Sequence, residues 1–286
     1  MEKIDLTKYV KSGEGANGSS YDCISDNSLM VKLYNPEYPN EAIRTELDIA
    51  RKVFELGVPS PEPGELVTDG ERTGIRFRKI TGKRSYSRML ADEPERVEEL
   101  SREFARYCRK LHTTQCPEGL FPDAKPQFLH LLEADRMFND AQKQTIADFI
   151  NSVEDCGTAL HGDLHIGNLI STLPKGAPIS SPHDVYFIDL GYFSRGCPLF
   201  DLGMTQNICL SCSEEFRRHD FHVTGELTKL VWEFFVDEYF DGKLTSSQAR
   251  DLVYPYQAVK LLLVEYNIGP AFPKEYVALI KDAFGF

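Results

Sequence analysis

The sequence predicts an α+β protein with two parts, a small antiparallel sheet carrying one helix and a larger, mostly helical part. Three observations lead to this class. The chain has 286 residues, close to two domains of about 150 residues each. Strand-like runs dominate as far as Ile80, and long helical patterns follow from Gly82 onward. We therefore predict one domain at residues 1–82 and a second at residues 83–286.

In the first part, residues 28–34 predict a strand that contains Lys32. A helix follows, with Asn40 as its expected cap and Gly57 at its end. Two further strands are predicted at residues 65–68 and 74–80, joined by a turn. The apolar positions of the helix recur at helical spacing and are Ile43, Leu47, Ala50 and Phe54.

In the second part, residues 92–112 predict a long amphipathic helix. A strand-rich island spans residues 158–193, and a proline-, glycine- and serine-rich loop interrupts it at residues 173–184. From residue 201 onward the pattern is mostly helical. The apolar face of the long helix contains Leu100, Phe104, Tyr107, Cys108 and Leu111.

Composition and charge narrow the functional classes. With 42% hydrophobic and 27% charged residues, the chain has a globular composition. A net charge of −12 argues against binding to nucleic acid or to an anionic membrane. Seven scattered cysteines without a C-x-x-C pair argue against a zinc site or a disulfide framework. No signal-peptide pattern and no apolar run of membrane length is found, so we expect a cytoplasmic protein.

The segment from His161 to Asn168 reads His-Gly-Asp-Leu-His-Ile-Gly-Asn, and Asp189-Leu190-Gly191 follows it. An aspartate and an asparagine five positions apart, followed by a second aspartate before a Leu-Gly pair, fit the needs of phosphoryl transfer. One carboxylate orients the acceptor hydroxyl and accepts its proton. The asparagine and the second aspartate supply the oxygen ligands that magnesium prefers.

These motifs resemble the aminoglycoside phosphotransferase and choline kinase superfamily, which has the two-lobed protein-kinase-like fold. The resemblance implies that Asp163 is the catalytic base, that His161 braces its loop, and that Asn168 and Asp189 bind Mg²⁺. It extends to residues 196–202, where Asp201 is expected to be structural at the start of a helix. The family's usual aspartate before the proline is Cys197 here.

The N-terminal part contains candidates for the ATP site. A glycine-rich segment, with Gly13, Gly15 and Gly18, lies between two predicted strands and can bring backbone N–H groups close to phosphates. Lys32 is expected to neutralise the α- and β-phosphates. Glu46, at the edge of the apolar stripe, is the preferred partner of this lysine, and Glu41 competes with it.

By resemblance, residues 78–82 form the hinge that faces adenine, with backbone groups of Lys79 and an apolar contact from Ile80. The acceptor is then a hydroxyl of a small molecule that is aminoglycoside-, choline- or sugar-like. Residues 232–240 combine aromatic and acidic side chains and either line a site for a cationic acceptor or form a core-facing helix.

Two alternatives remain open at this stage. The chain can be a non-catalytic nucleotide-binding module of the same fold. Alternatively, His161, Asp163 and His165 alternate as they would on one face of a strand, which fits a metal-dependent hydrolase. That second alternative leaves Asn168 and the Asp189 turn without a role.

Overall fold

The structure is a computed structural model that describes residues 1–15 and 17–286. Its strands are β1 (Glu2–Lys3), β2 (Tyr9–Gly15), β3 (Gly18–Cys23), β4 (Leu29–Tyr34), β5 (Pro63–Thr68), β6 (Thr73–Arg78), β7 (Arg84–Ser85), β8 (Thr158–Leu160), β9 (Leu169–Ser171), β10 (Val185–Phe187) and β11 (Ser194–Gly196). Its α-helices are α1 (Asn40–Glu55), α2 (Tyr86–Asp92), α3 (Val97–Thr113), α4 (Ala124–Ala134), α5 (Asp140–Ser152), α6 (Leu199–Gln206), α7 (Glu214–Phe216), α8 (Gly225–Tyr239), α9 (Ser246–Ile268) and α10 (Lys274–Phe284).

The chain divides into two compact units that interleave along the sequence. One unit consists of Met1–Arg84 and Leu169–Gly191, and the other of Ser85–Asn168 and Tyr192–Phe286. The sheet-based first unit and the helical second unit confirm the predicted α+β class. The domain boundary at residue 82 stays a prediction, since these units are defined by packing rather than by position in the chain.

The first unit is built on a six-stranded sheet with the order β1-β5-β6-β4-β3-β2. Its strand pairs are antiparallel except for β1 with β5, so the sheet is mixed rather than purely antiparallel. In β4, alternate side chains point to opposite faces. Val31 and Leu33 pack in one apolar cluster, and Tyr34 packs in the other cluster together with Ile43 and Leu47 of α1. Lys32 therefore lies on the α1 side of the sheet.

Helix α1 forms as predicted, but its details differ. Asn40 lies inside the helix, and Pro39 at the cap position makes no side-chain capping bond. Phe54, predicted to be buried, has 42% of its surface exposed, and Val53 is buried instead. The α1 helix ends at Glu55, so Phe54 lies in its last turn.

The prediction of one helix over residues 92–112 was wrong at its beginning. Helix α2 ends at Asp92, a 3₁₀ turn covers Pro94–Arg96, and α3 begins at Val97. Proline disfavours helical geometry at the residue before it. Accordingly, Glu93 has a φ of −141° and a ψ of 57°, outside the helical region.

The second unit has a core between its helices. Trp232, Phe235 and Val236 of α8 are at most 2% exposed, so the apolar part of residues 232–240 is a core-facing helix surface. Among the helices in residues 1–15 and 17–286, none is long and apolar enough to cross a membrane.

Candidate active site

In the first unit, the predicted lysine lies between two carboxylates. Lys32 Nζ donates to Glu46 Oε1 at 2.9 Å and to Asp189 Oδ1 at 2.9 Å. Glu46 reaches the lysine because it lies one turn of α1 beyond Ile43, which packs against the same face of the sheet. The competing residue Glu41 is exposed to solvent. The structure thus pairs Lys32 with Glu46, as preferred from the sequence.

Charge and conformation at this cluster are both unusual. Burial lowers the tendency of Lys32 to stay charged, but the nearby Asp189 and Glu46 carboxylates outweigh it and hold the pKa of Lys32 well above its ordinary value. Asp189 follows β10 and has a φ of +57°, in the left-handed region that non-glycine residues seldom occupy. Its side chain is 53% exposed. The cluster therefore presents a fixed cation and an accessible carboxylate.

The glycine-rich segment forms the hairpin between β2 and β3. Gly13 and Gly15 lie in β2 and Gly18 begins β3, while Ala16 lies outside the described residues. A Cβ on Gly18 would come within 2.2 Å of the Leu33 carbonyl oxygen, so the sheet itself requires glycine there. A Cβ on Gly13 or Gly15 would make only ordinary contacts at 3.7 Å or more. The fold alone does not explain the glycines at these two positions.

The proposed hinge residues follow β6. The Lys79 ammonium pairs with Asp22 at 2.8 Å and donates to Asn27 Oδ1 at 2.9 Å. The backbone N–H of Lys79 donates to the Ser28 carbonyl at 2.8 Å. Ile80 is partly exposed. The adenine-facing role of Lys79 and Ile80 stays a prediction.

In the second unit, residues 161–168 form an irregular loop after β8 rather than a strand. Asp201, in the first turn of α6, accepts the backbone N–H of His161 at 2.6 Å and that of Gly162 at 2.9 Å. His161 is fully buried, and its Nδ1 accepts the backbone N–H of Asp163 at 3.2 Å. His161 and Asp201 therefore both bond to the backbone of this loop, and the bracing role of His161 stays a prediction.

Asp163 and Asn168 contact each other across this loop. Asn168 Nδ2 donates to the Asp163 carbonyl at 2.9 Å and to Asp163 Oδ2 at 3.3 Å. His165 Nε2 lies 3.6 Å from the same Oδ2, and Nδ1 of His165 accepts the Gly167 N–H at 3.1 Å. Because Nδ1 accepts this bond, Nε2 is the ring nitrogen that faces Asp163.

The charged form of Asp163 is strongly favoured. Burial opposes ionisation, but His165, His161 and Lys260 outweigh it and lower the pKa of Asp163 to about 2. The side chain is 31% exposed. Asp163 is thus an ionised carboxylate that a ligand can reach.

Three residues that hold this loop, directly or through Asp201, were missed by the sequence analysis. His112 on α3 connects Asp201 to Tyr239, with Nε2 at 3.1 Å from Asp201 Oδ2 and Nδ1 at 2.7 Å from the Tyr239 hydroxyl. Thr205 Oγ1 donates to the Leu164 carbonyl at 2.9 Å. Lys260 on α9 donates to the Gly162 carbonyl. The available signal was a charged side chain within the apolar run at residues 258–264.

Cys197 has a structural position. It is buried and packs in the core cluster of the second unit, and its carbonyl accepts the N–H of Phe200 as α6 begins. Burial raises the pKa of the Cys197 thiol to about 11, so the thiol stays neutral. The family's acidic position is occupied here by an uncharged core residue.

The strand geometry assumed for a His-Asp-His metal site is wrong, because His161, Asp163 and His165 lie in a loop. Within residues 1–15 and 17–286, no group of three His, Cys, Asp or Glu side chains is arranged to hold a metal ion. The hydrolase alternative depended on these three residues sharing one strand face, and the structure does not support that arrangement.

The structure brings the predicted residues together in two groups. Lys32, Glu46 and Asp189 form one group in the first unit. His161, Asp163 and Asn168 form the other in the second unit. The roles of these residues stay predictions.

The fold is similar to that of solved small-molecule kinases. A choline/ethanolamine kinase family protein from Mesorhizobium loti has a TM-score of 0.51 at 18% identity, covering 97% of this chain and 85% of that one. Aminoglycoside phosphotransferase APH(3'')-Id from Streptomyces rimosus has a TM-score of 0.54 at 19% identity, covering 88% and 92%. A thermostable mutant of APH(4)-Ia, in complex with ADP and hygromycin B, has a TM-score of 0.60 at 11% identity, covering 97% and 90%. These likenesses establish the two-lobed kinase-like fold.

No curated protein matches the sequence. The sequence model of the phosphotransferase enzyme family matches residues 10–233, well over half of the chain. This range contains both groups of predicted site residues. The chain therefore belongs to the phosphotransferase enzyme family, in agreement with the resemblance that its motifs carry.

Proposed function

We propose that the protein transfers the γ-phosphate of ATP, with Mg²⁺, to a hydroxyl group of a small molecule. The observation that carries this proposal is the ionised Asp163 carboxylate on a loop fixed by hydrogen bonds. Asn168 and His165 both contact its Oδ2, and Asp201 holds the backbone just before it. Such a carboxylate suits the orientation of an acceptor hydroxyl.

The low pKa of Asp163 defines what this carboxylate does. A group with a pKa of about 2 is a weak base, so it does not deprotonate a free alcohol. It accepts a hydrogen bond from the hydroxyl and takes the proton only as the new O–P bond makes that hydroxyl acidic. Asp163 thus orients the nucleophile first and receives its proton late.

Lys32 is the proposed contact to the α- and β-phosphates. Its ammonium is held by Glu46, whose side chain is only 11% exposed, so the cation keeps one position. Gly13 and Gly15 support the same assignment, because their missing side chains would let backbone N–H groups approach the phosphates closely.

Asn168 and Asp189 fit a magnesium ion by the chemistry of their donors. The Asn168 NH₂ group is turned toward Asp163, which leaves the amide oxygen on the other side. The Asp189 carboxylate is half exposed and held at a fixed backbone conformation. Both supply hard oxygen ligands. When bound, the metal neutralises charge on the transferring phosphates.

The proposed acceptor is a small alcohol of the aminoglycoside, choline or sugar type. Among proteins of similar fold, APH(2'')-IIa has been solved in one complex with streptomycin and ATP and in another with gentamicin. The excess of acidic residues favours a cationic acceptor. We also place the protein in the cytoplasm, where ATP is available and where its cysteines, all seven of them free thiols, stay reduced.

The test is ADP release from Mg·ATP over a panel of aminoglycosides, choline-like amines, sugars, nucleosides and amino alcohols. Asp163→Asn should bind ATP like the parent, while its turnover falls by about 100-fold or more, because the proton acceptor is lost. Asp251→Asn is the matched control, since Asp251 is 67% exposed on α9. Equal turnover in Asp163→Asn and the parent would refute the role of Asp163.

Two other outcomes would decide against catalysis. ATP binding without ADP release from any acceptor would favour the non-catalytic nucleotide-binding module. Absence of ATP binding in a folded protein would contradict the nucleotide assignment of Lys32 as well.

A further inference from the structure

Lys260 is a buried lysine in the middle of helix α9. Only 3% of its surface is exposed, and its neighbours in the chain are the apolar residues of positions 258–264. Lysine is almost never fully buried unless its charge is compensated. The surroundings of Lys260 should therefore explain why an ammonium group is kept in this core.

The ammonium has a backbone acceptor, an aromatic face and two carboxylates around it. Nζ donates to the Gly162 carbonyl and lies 5.3 Å from the centre of the Phe128 ring. Burial lowers the pKa of the Lys260 ammonium below its ordinary value, and the charges of Asp201 and Asp163 act in the opposite direction and favour its charged form. The lysine is thus directed at the loop that carries Asp163.

The peptide group between Gly162 and Asp163 is held at both of its polar atoms. Its carbonyl oxygen accepts from Lys260, and its N–H donates to His161 Nδ1 at 3.2 Å. Gly162 itself has a φ of +84°, and a Cβ there would come within 2.0 Å of the Tyr192 carbonyl oxygen. The orientation of this peptide plane sets the direction in which the Asp163 side chain leaves the backbone.

We propose that Lys260 is a positioning residue for phosphoryl transfer, which fixes the 162–163 peptide plane and through it the Asp163 carboxylate. This inference rests on the proposed function, because it assigns Lys260 to the loop of the proposed base. Lys260 itself touches neither substrate nor cofactor in this role. A charge-assisted hydrogen bond is stronger and shorter than a neutral one, which suits the restraint of an irregular loop.

A loss of stability alone does not separate the two roles of this lysine. Removing the ammonium leaves the buried Gly162 carbonyl without its donor, and an unsatisfied buried acceptor is destabilising in either case. A lysine that only stabilises the core would lower the thermal midpoint and leave the folded active site as it is. A positioning lysine would in addition change kcat and the mobility of residues 161–168 in the folded protein.

The test is Lys260→Met, which keeps an unbranched side chain one atom shorter and removes the ammonium. We expect kcat to fall about 10- to 100-fold, as small misplacements of a reacting group do, with KM for ATP within about twofold of the parent. The thermal midpoint should fall, because the buried Gly162 carbonyl loses its donor, so kcat is measured well below it. Amide hydrogen exchange should become faster at residues 161–168.

Lys143→Met is the matched control. Lys143 also donates its ammonium to backbone carbonyls, those of Glu133 at 3.1 Å and of Asp135, on a different part of the second unit. This variant should keep the kcat of the parent and the exchange rates of residues 161–168. A fall in kcat equal to that of Lys260→Met would overturn the proposal.

A second variant protects the test against misfolding. Lys260→Ala should lose activity and recover part of it when n-propylammonium is added, whereas n-propanol should give no recovery. Recovery with both compounds, or with neither in a folded protein, would reduce Lys260 to a packing residue. Parent-like kcat and exchange rates in Lys260→Met would do the same.

The exchange measurement also separates this inference from the proposed function. Faster exchange at residues 161–168 in Lys260→Met, in a protein whose parent transfers no phosphate, would support the restraint of the loop and refute the reaction. Unchanged exchange in an active parent would refute the restraint alone.

Discussion

Asp201 is the residue whose replacement should destabilise the second unit most directly. Its carboxylate is fully buried and accepts three donors: the N–H of His161, the N–H of Gly162 and Nε2 of His112. In Asp201→Asn the NH₂ group must face at least one of these donors. One buried N–H then loses its acceptor, and the remaining hydrogen bonds lose their charge.

The expected cost follows from these contacts. An unsatisfied buried donor and the loss of charge from two further hydrogen bonds together amount to about 3–5 kcal/mol. For a unit of this size, that corresponds to a fall in the thermal midpoint of about 6–20 °C. Turnover should fall as well, because the same bonds hold the loop of Asp163.

The assay can use the only tryptophan of the chain. Trp232 is 2% exposed and lies in the second unit, so its fluorescence reports the unfolding of that unit in urea. Asp251→Asn is again the control for removal of an exposed carboxylate. If both variants unfold at the same urea concentration as the parent, the three hydrogen bonds do not stabilise the unit and the reasoning fails.

The loss of stability caused by Asp201→Asn should also depend on pH. Burial opposes ionisation of Asp201, but the hydrogen bond and charge of His112, with Lys260 and His161, lower its pKa below the ordinary 3.8. A depressed carboxyl pKa stabilises the folded state above the pKa of the unfolded chain, and this stabilisation is lost as the pH falls through the folded-state value. The difference between the parent and Asp201→Asn should therefore be full above about pH 4 and shrink below it. A difference that grows as the pH falls would contradict this sign.

Two further predictions concern Lys32 in the first unit and the loop of residues 161–168 in the second. Lys32→Met should weaken ATP binding, measured by calorimetry, by about 10-fold or more, because a charge-assisted contact to phosphate is lost. Lys11→Met is the control, since Lys11 lies in β2 and is 46% exposed, and it should bind ATP like the parent. Gly162→Ala should lower the urea midpoint of Trp232 fluorescence by far more than Gly119→Ala. Both glycines have positive φ, but only at Gly162 does the added Cβ meet a backbone atom, the Tyr192 carbonyl oxygen at 2.0 Å. Equal urea midpoints for Gly162→Ala and Gly119→Ala would contradict this prediction and would mean that the loop accommodates the added Cβ with little loss of stability.

The sequence predicted those parts of the site that depend on local order. Asp163 and Asn168 are five positions apart, and their contact needs only one loop. Lys32 and Glu46 are 14 positions apart on a strand and a following helix, so periodicity alone places them on facing surfaces. The order of motifs along the chain connected these short segments to one family.

The sequence analysis did not predict the start of helix α3, the exposure of Phe54 or the long-range contacts of the loop, each for a physical reason. The helix predicted over residues 92–112 ignored Pro94, although proline restricts the preceding residue as well as itself. Phe54 fitted the apolar spacing, but spacing does not show where the covering sheet stops. Lys260 and Gly162 are separated by 98 positions, and His112 and Tyr239 by 127 positions. Periodicity contains no information about such distant partners.

The side chains that hold residues 161–168 are needed because the backbone of this loop is irregular. A buried loop has no ladder or helix to satisfy its N–H and C=O groups, so side chains from other elements must do so. Asp201, Thr205 and Lys260 each bond to the backbone of this loop, and each is a buried polar residue on a core helix. The loop therefore explains why these three polar side chains are kept in the core. Because these three side chains hold different peptide groups, their removal should loosen different parts of the loop and not act as one interchangeable set.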